Sequence, residues 1–227
     1  MTLDITRRLD LGFPVWPGDP AYERVPHLET EPYVAVSRLV MSTHTGTHVD
    51  APLHFVPGGT AVDALELDRF WGPCLVIDLR EEVADLASDD GALLLRGGHL
   101  STACRRAGLP PETWKKAERL LLRTDTVRDI AGVPERTPGV SPTLAKTLSG
   151  GPLRLIGIDT PSVDARTGTV DEDHPAHRTL LGAGRAFLEW LDLAGVATGH
   201  YEISALPLRL AGADGSPVRA ALRPLTA

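Results

Sequence analysis

The stretch HTGTHVDAPLH, residues 44–54, contains three of the eight histidines of this 227-residue chain. His44, His48 and His54 lie around a single aspartate, Asp50. The residues between them are small, polar or turn-forming, and such residues pack a core poorly. The stretch is therefore either a solvated loop that is rich in histidine or a functional site.

The spacing of these four side chains favours a site. All four positions have the same parity, so a strand would point them to one side. A fully extended run over 44–54 would span about 33 Å, which is too long for one metal centre. Gly46 and Pro52 oppose a helix and are the expected bends. Imidazole and carboxylate groups are ligands for zinc and similar divalent ions, so we predict a metal site here.

A second group of ligand-type residues lies in the segment 171–193, which contains His174, His177 and Glu189. On an unbroken helix His177 and Glu189 would lie about 18 Å apart. They can converge on one metal only if the helix breaks, and residues 182–184, Gly-Ala-Gly, are the expected break. Spacing alone leaves both histidines open as ligands.

The bulk properties indicate one globular domain, residues 1–227, with 42% hydrophobic and 23% charged residues. The net charge of −7 and the scattered lysines and arginines argue against nucleic acid or an anionic membrane as a partner. No apolar run is long enough for a signal peptide or a membrane span. We expect a cytoplasmic protein in which Cys74 and Cys104 remain reduced.

Short apolar runs bounded by turn residues predict strands, and amphipathic stretches between them predict short helices. The predicted strands are 33–41, 73–79, 118–124 and 153–159, and the predicted helices are 101–107, 111–117, 142–148 and 178–193. The segments 201–210 and 216–225 are predicted to pair across the turn AGADG. This alternation indicates an α/β or α+β domain with a mixed sheet.

The motif HTGTHVDAPLH resembles that of the cyclase family of metal-dependent hydrolases. The likeness extends over PVWPGDP (14–20), WGPCLVIDL (71–79), LLLRTDT (120–126), GVSP (139–142), LIGIDTPSVD (155–164), YEISALPLRL (201–210) and GADGSPVRAALRPL (212–225). Within that family the chain is most similar to the bacterial arylformamidases, or kynurenine formamidases. The resemblance implies a swivelling β/β/α fold and a homo-oligomer, a dimer or a tetramer.

The resemblance also implies two Zn²⁺ ions in each subunit, with Mn²⁺ or another divalent ion as an alternative. His44 and His48 would bind one ion, and Asp50 would bridge both. His177 would bind the second ion, and Glu189 would be the remaining bridging carboxylate.

Two features depart from the family pattern. The segment ARTGTVDEDHPAH (165–177) matches it loosely, so His174 remains an alternative to His177. We prefer His177 because its distance from Glu189 fits the family pattern. His200 replaces the usual acidic residue before Tyr201, so one acid that we expect near the site is lost.

The implied reaction is the hydrolysis of N-formyl-L-kynurenine to L-kynurenine and formate, a step of tryptophan degradation. His54 would be the acid/base residue, since an imidazole gains and loses a proton near neutral pH. Trp16 would line the substrate pocket, or else fill a proline-rich loop as a hydrophobic plug. The alternatives are hydrolysis of another small amide, lactam or ester, such as an isatin-like ring, and a metal-dependent binding protein without turnover.

Two aspartates in GIDTPSVD, Asp159 and Asp164, have two possible roles. Each could turn the chain through local side-chain hydrogen bonds. Each could instead orient a ligand histidine from behind, as carboxylates do at many metal sites.

Overall fold

A computed structural model describes residues 1–30, 34–86, 91–128, 130–167 and 173–225, with the side chains of 27–30 left out. The strands are β1 (Leu3–Asp4), β2 (Glu23–Thr30), β3 (Val34–Val40), β4 (His48–Asp50), β5 (Trp71–Asp78), β6 (Leu94–Leu95), β7 (Arg119–Arg123), β8 (Arg136–Thr137), β9 (Gly139–Val140), β10 (Leu155–Ile158), β11 (Arg166–Thr167), β12 (Ala186–Glu189), β13 (Gly199–Ser204), β14 (Gly215–Pro217) and β15 (Ala221–Pro224). The α-helices are α1 (Arg80–Leu86), α2 (Gly97–Arg106), α3 (Pro142–Ser149) and α4 (Pro175–Gly182).

A nine-stranded mixed sheet forms the centre of the molecule, in the order β1-β15-β13-β5-β7-β10-β12-β4-β14. Its four central strands, β5, β7, β10 and β12, run parallel to one another. The outer strands pair antiparallel on both sides. This curled sheet with short helices confirms the expected α/β fold.

Both faces of the central strands are buried, which explains their nearly continuous apolar sequences. On β7, Leu120 and Leu122 pack with the apolar faces of the helices, whereas Leu121 packs in a second core on the opposite face. A two-sided core of this kind holds β4 and β12 rigidly, and those two strands carry much of the site.

Most of the predicted elements are present. The strand predictions 33–41, 73–79, 118–124 and 153–159 correspond to β3, β5, β7 and β10. Helix α3 begins after Ser141, whose side chain accepts a hydrogen bond from the backbone N–H of Leu144 at 3.2 Å. Helix α2 begins four residues earlier than predicted, and the predicted helix at 111–117 is a 3₁₀ turn, Thr113–Lys116.

The prediction of one helical segment over 178–193 is wrong. Helix α4 ends at Gly182, at the expected glycine break, and the chain continues as the buried strand β12. Phe187 and Leu188 are consecutive apolar residues that face opposite cores. In the sequence, a short apolar run of this kind does not distinguish a doubly buried strand from a buried helix.

The predicted pairing of the two C-terminal segments is partly right. Strand β13 pairs antiparallel with β15, with Ile203 opposite Leu222. The intervening strand β14 does not join them, because it pairs with β4 at the far edge of the same sheet. The AGADG segment therefore leads to the metal-binding motif and does not close a hairpin.

A separate antiparallel hairpin is formed by β2 and β3, and every residue of β3 is exposed. None of the helices in the described ranges has the length and apolar character needed to traverse a bilayer.

Candidate metal centre and substrate pocket

Strands β4 and β12 place three ligand-type side chains side by side. In their antiparallel register Glu189 lies directly opposite His48, and Phe187 lies opposite Asp50. His48 and Asp50 are two positions apart on β4 and so point to the same side. His48 Nε2 lies 3.1 Å from Asp50 Oδ1 and 3.7 Å from Glu189 Oε2.

The chain turns sharply before β4, and this turn adds His44 to the group. Gly46 has a φ of +67°, in the left-handed region that glycine adopts readily. The turn allows the carbonyl of Gly46 to lie 2.8 Å from His48 Nδ1, so the ring presents Nε2 to the carboxylates. His44 Nδ1 lies 2.8 Å from Asp50 Oδ1. The expected bend at Gly46 is therefore present.

Helix α4 contributes His177 from its first turn. The carboxylate of Asp164 accepts hydrogen bonds from the backbone N–H groups of Ala176 and His177, at 2.7 and 3.1 Å, and so caps the helix. The same carboxylate lies 2.6 Å from His177 Nδ1. The other ring nitrogen, Nε2, lies 3.4 Å from Asp50 Oδ2 and 3.3 Å from Glu189 Oε1. Asp164 thus fixes both the helix and the orientation of the ring.

Two groups of three ligand atoms share Asp50. One is His44, His48 and Asp50, the other is Asp50, His177 and Glu189, and the atoms within each lie within 4.8 Å of one another. Oδ2 of the buried Asp50 accepts no hydrogen bond from the described residues. Ligands of a tetrahedral zinc with bonds of about 2.0–2.1 Å lie roughly 3.3 Å apart. The donor types, spacing and unsatisfied oxygen therefore fit divalent cations at this position.

The electrostatics of the cluster follow from four carboxylates that lie close to buried or largely buried imidazoles. Burial disfavours the charged form of His44, but Asp50 and Asp214 outweigh it and raise its pKa to about 9. Burial likewise opposes the charge on His177, whose pKa Asp164, Asp50 and Glu189 raise well above the usual value. The pKa of Asp50 is lowered, although burial opposes this, because His44 and His48 lie beside it. The carboxylates therefore favour positive charge at this position, carried by protons on the imidazoles or by bound cations.

His54 lies beside the cluster, at the end of a 3₁₀ turn that begins at Pro52, the second expected bend. Its ring centroid lies 4.0 Å from that of His44, and its Nδ1 lies 3.4 Å from Asp214 Oδ2. Burial lowers the pKa of His54, although Asp50 opposes this. A neutral imidazole at physiological pH can accept a proton.

A cavity of about 200 Å³ opens over the cluster. Its lining outside the cluster includes Trp16, Asp19, Phe55 and Trp190. Trp190 has a φ of +55°, which is uncommon for a residue with a large side chain. Its carbonyl accepts a hydrogen bond from the Thr47 hydroxyl at 2.6 Å, and its ring packs edge-on against Phe13 at 5.4 Å. These contacts hold the wall of the cavity directly after Glu189.

The structure brings together all the residues that the sequence singled out for metal binding, namely His44, His48, Asp50, His177 and Glu189. Trp16 and His54 line the adjoining cavity. His174 also lines the cavity, but its Nδ1 lies 4.0 Å from Asp164 and its group does not include Asp50 or Glu189.

The two aspartates of GIDTPSVD have different roles. Asp164 supports His177 from behind, as described above. Asp159 accepts hydrogen bonds from the backbone N–H groups of Thr124 and Asp125, at 2.9 and 2.7 Å, and so holds the end of β7.

The expectation that position 200 lies near the site is wrong. His200 is on β13, opposite Leu75 of β5, and it lines a different cavity, next to Cys74 and Arg119. An acidic side chain at this position would line that second cavity and not the cavity over the metal cluster.

One residue of the site was not anticipated. Asp214 Oδ2 lies 3.0 Å from His44 Nε2 and also faces His54, and the Thr43 hydroxyl donates to its other oxygen at 3.0 Å. It lies in a glycine-rich turn about 170 positions from His44, so no local spacing indicates its role.

The fold and this cluster define a class of protein: an α/β protein in which histidines and carboxylates with the spacing of metal ligands lie near the edge of a mixed sheet. The family model described as putative cyclase matches residues 3–165. The chain therefore belongs to the cyclase family.

Similar proteins come from both curated sequences and solved structures. The chain is 40% identical to a kynurenine formamidase of Geobacillus thermodenitrificans, over 97% of this chain and 96% of that protein. Isatin hydrolase A from Labrenzia aggregata is similar with a TM-score of 0.80 at 29% identity, over 98% and 93% of the two chains. A predicted metal-dependent hydrolase from Bacillus stearothermophilus is similar with a TM-score of 0.70 at 28% identity, over 98% and 97%.

The raised pKa of His44 predicts how the chelated protein responds to pH. Its pKa rises from 6.5 to about 9 on folding, so the stabilising contribution is complete below pH 6.5 and is lost as pH rises through about 9. The free energy of unfolding of chelated protein should fall by about 1–3 kcal/mol between pH 6.5 and pH 9.5. Urea unfolding at the two pH values measures this change.

The variant His44→Gln is the control, because it removes the titrating group and should reduce the difference between the two pH values. A wild-type protein that is equally stable at both, or more stable at pH 9.5, would contradict the prediction.

Proposed function

We propose that this protein hydrolyses N-formyl-L-kynurenine to L-kynurenine and formate, as a kynurenine formamidase of tryptophan degradation. The observation that carries the proposal is the 40% identity, over 97% of the chain, to a protein of that name. The cluster of histidines and carboxylates beneath the cavity supports it, because it provides the ligands that a metal-dependent hydrolase needs.

The proposal includes two divalent ions, with zinc as the first candidate. His44 and His48 would hold one ion and His177 the other, with Asp50 and Glu189 as the two bridging carboxylates. When bound, zinc would lower the pKa of a water molecule to about 7 and would polarise a carbonyl oxygen. His48 and His177 are oriented for this role by the carbonyl of Gly46 and the carboxylate of Asp164.

The remaining steps belong to side chains of this protein. His54 accepts the proton of the attacking water and delivers it to the aryl amine nitrogen as the bond from formyl carbon to nitrogen breaks. Trp16 packs against the aromatic ring of the substrate, a contact that adds about 0.5–1.5 kcal/mol beyond burial. The formyl group leaves as formate.

Hydrolysis of an isatin-like lactam is the second candidate. It is favoured by the TM-score of 0.80 with isatin hydrolase A, at 29% identity. Both reactions break an amide bond next to an aromatic ring, so the metal cluster alone serves either substrate. A metal-dependent binding protein without turnover is disfavoured, because it would need no acid/base residue at the position of His54.

Chelation tests the metal requirement and the substrate together. Purified protein should hydrolyse N-formyl-L-kynurenine, lose this activity after dialysis against a chelator, and regain it when Zn²⁺ is returned, since the chelator removes the group that activates water. Absorbance of the product measures turnover, and isatin is assayed in parallel. Turnover of isatin alone would replace the first candidate by the second, and turnover that survives complete metal removal would contradict both.

Substitution of His54 tests the acid/base assignment. His54→Gln should lower kcat by about 10²–10⁴-fold, because the leaving amine loses its proton donor, while the bound metal content stays the same. The matched control is His200→Gln, which alters a histidine in a separate cavity and should leave kcat unchanged. If His54→Gln loses metal, or keeps full activity with metal bound, the assignment is wrong.

We also propose that the protein is a cytoplasmic homo-oligomer, a dimer or a tetramer. Both cysteines are free in the structure, which fits a reducing compartment. The β2–β3 hairpin exposes Val25, Val34, Val36 and Val40, at 37%, 51%, 42% and 36%, and the register puts them on one face. Isolated two-stranded hairpins are marginally stable in water, so a covering surface from a second copy would stabilise this one.

A charge placed on this face should weaken assembly. Val36→Lys should shift the mass measured by light scattering towards that of the monomer, because burying the ammonium group in an apolar interface is unfavourable. Ala35→Lys, on the opposite face of β3, is the control and should keep the wild-type mass. A wild-type protein that is monomeric at micromolar concentration would refute the assembly itself.

A further inference from the structure

The segment WPGD, residues 16–19, forms a tight turn at the mouth of the cavity. The backbone N–H of Asp19 donates to the carbonyl of Trp16 at 2.9 Å, and Gly18 has a φ of +98°. A β-turn with proline second and glycine third at positive φ is of type II. The turn therefore fixes Trp16 and Asp19 next to each other, and both side chains line the cavity above the metal cluster.

Asp19 differs from the other carboxylates that line this cavity. Asp50 and Glu189 belong to the groups that can hold a metal, whereas Asp19 does not. Within the described part of the chain, no side chain forms an ion pair or hydrogen bond with its carboxylate. A half-buried carboxylate in a cavity, with no partner of its own, is suited to bind a cationic group of a ligand.

Trp16 is held in place from one side. The guanidinium carbon of Arg166 lies 4.3 Å from the centroid of the indole ring, a cation–π contact. Arg166 is itself anchored, because its Nε donates to the carbonyl of Pro134 at 2.7 Å. A fixed indole beside a free carboxylate presents an aromatic surface and a negative charge to the same ligand.

We propose that Asp19 is a specificity-determining residue that binds the α-ammonium group in the amino-acid moiety of N-formyl-L-kynurenine, while Trp16 packs on the aromatic ring of the same substrate. This inference rests on the proposed function and specifies which formamide the site prefers. N-formyl-L-kynurenine carries an α-ammonium group and an α-carboxylate, formanilide carries no charge, and N-formylanthranilate carries only a carboxylate. The carboxylate of Asp19 attracts the first, is indifferent to the second and repels the third.

The test compares kcat/KM for N-formyl-L-kynurenine with kcat/KM for formanilide, in protein loaded with Zn²⁺. In Asp19→Asn the ratio of the two should fall by about 10- to 100-fold, mainly through KM for N-formyl-L-kynurenine, because one charge-assisted hydrogen bond is lost. Asp19→Glu should restore part of the ratio. Asp10→Asn is the control, because Asp10 is an exposed carboxylate of the same N-terminal segment and pairs with Arg8. This variant should leave the ratio at the wild-type value.

The outcomes separate this inference from the function on which it rests. Wild-type protein that hydrolyses N-formyl-L-kynurenine, with an unchanged ratio in Asp19→Asn, overturns the role of Asp19 alone. A parallel loss on both substrates also overturns it, since that result indicates a structural role for the turn. Wild-type protein that turns over formanilide but not N-formyl-L-kynurenine overturns the proposed function and this inference together.

Discussion

The buried carboxylate of Asp50 is the constraint on which the rest of the site depends. An ionised carboxylate at 1% exposure is tolerated only when positive charge or hydrogen-bond donors surround it. Three imidazoles approach its two oxygens from different elements, His44 and His48 on one side and His177 on the other. Because one carboxylate serves both sets of ligands, its position on β4 fixes the distance between the two halves of the centre.

The sheet brings these halves together. Strand β4 joins the parallel strands through its antiparallel pairing with β12, and this pairing sets His48 opposite a residue about 140 positions later in the chain. The loop after β10 then holds both Glu189 and His177. The backbone N–H of Val163 donates to Glu189 at 2.6 Å, and Asp164 holds the histidine ring. The site is rigid because two packed strands and a capped helix carry it.

The cluster of ligand-type residues and the wall of the cavity come from different parts of this chain. The strands β4 and β12 and the helix α4 carry most of the ligand-type side chains, and the two main cores hold these elements in place. The cavity wall comes partly from turns, notably WPGD and the position of Trp190 at positive φ, where the indole ring packs in a small separate cluster with Phe13 and Val127. Because turns lie outside the two main cores, their residues can change without displacing the cluster, and the chain is similar both to a kynurenine formamidase and to an isatin hydrolase.

The sequence by itself determined the first half of the site and the class of fold. The ligand-type residues at 44, 48, 50 and 54 have the same parity, and a glycine and a proline lie where the chain must bend. This pattern predicted a metal site without knowledge of any contact, because bends and strand faces are local properties. Local pattern also located the central strands and α3. Only the tertiary structure decided that 186–189 is a strand and not a helix, since a doubly buried run has no distinctive period. The tertiary structure alone decided the contact of Asp214 with His44 and the approach of Arg166 to Trp16. The fold brings these residues together although they lie far apart in the sequence.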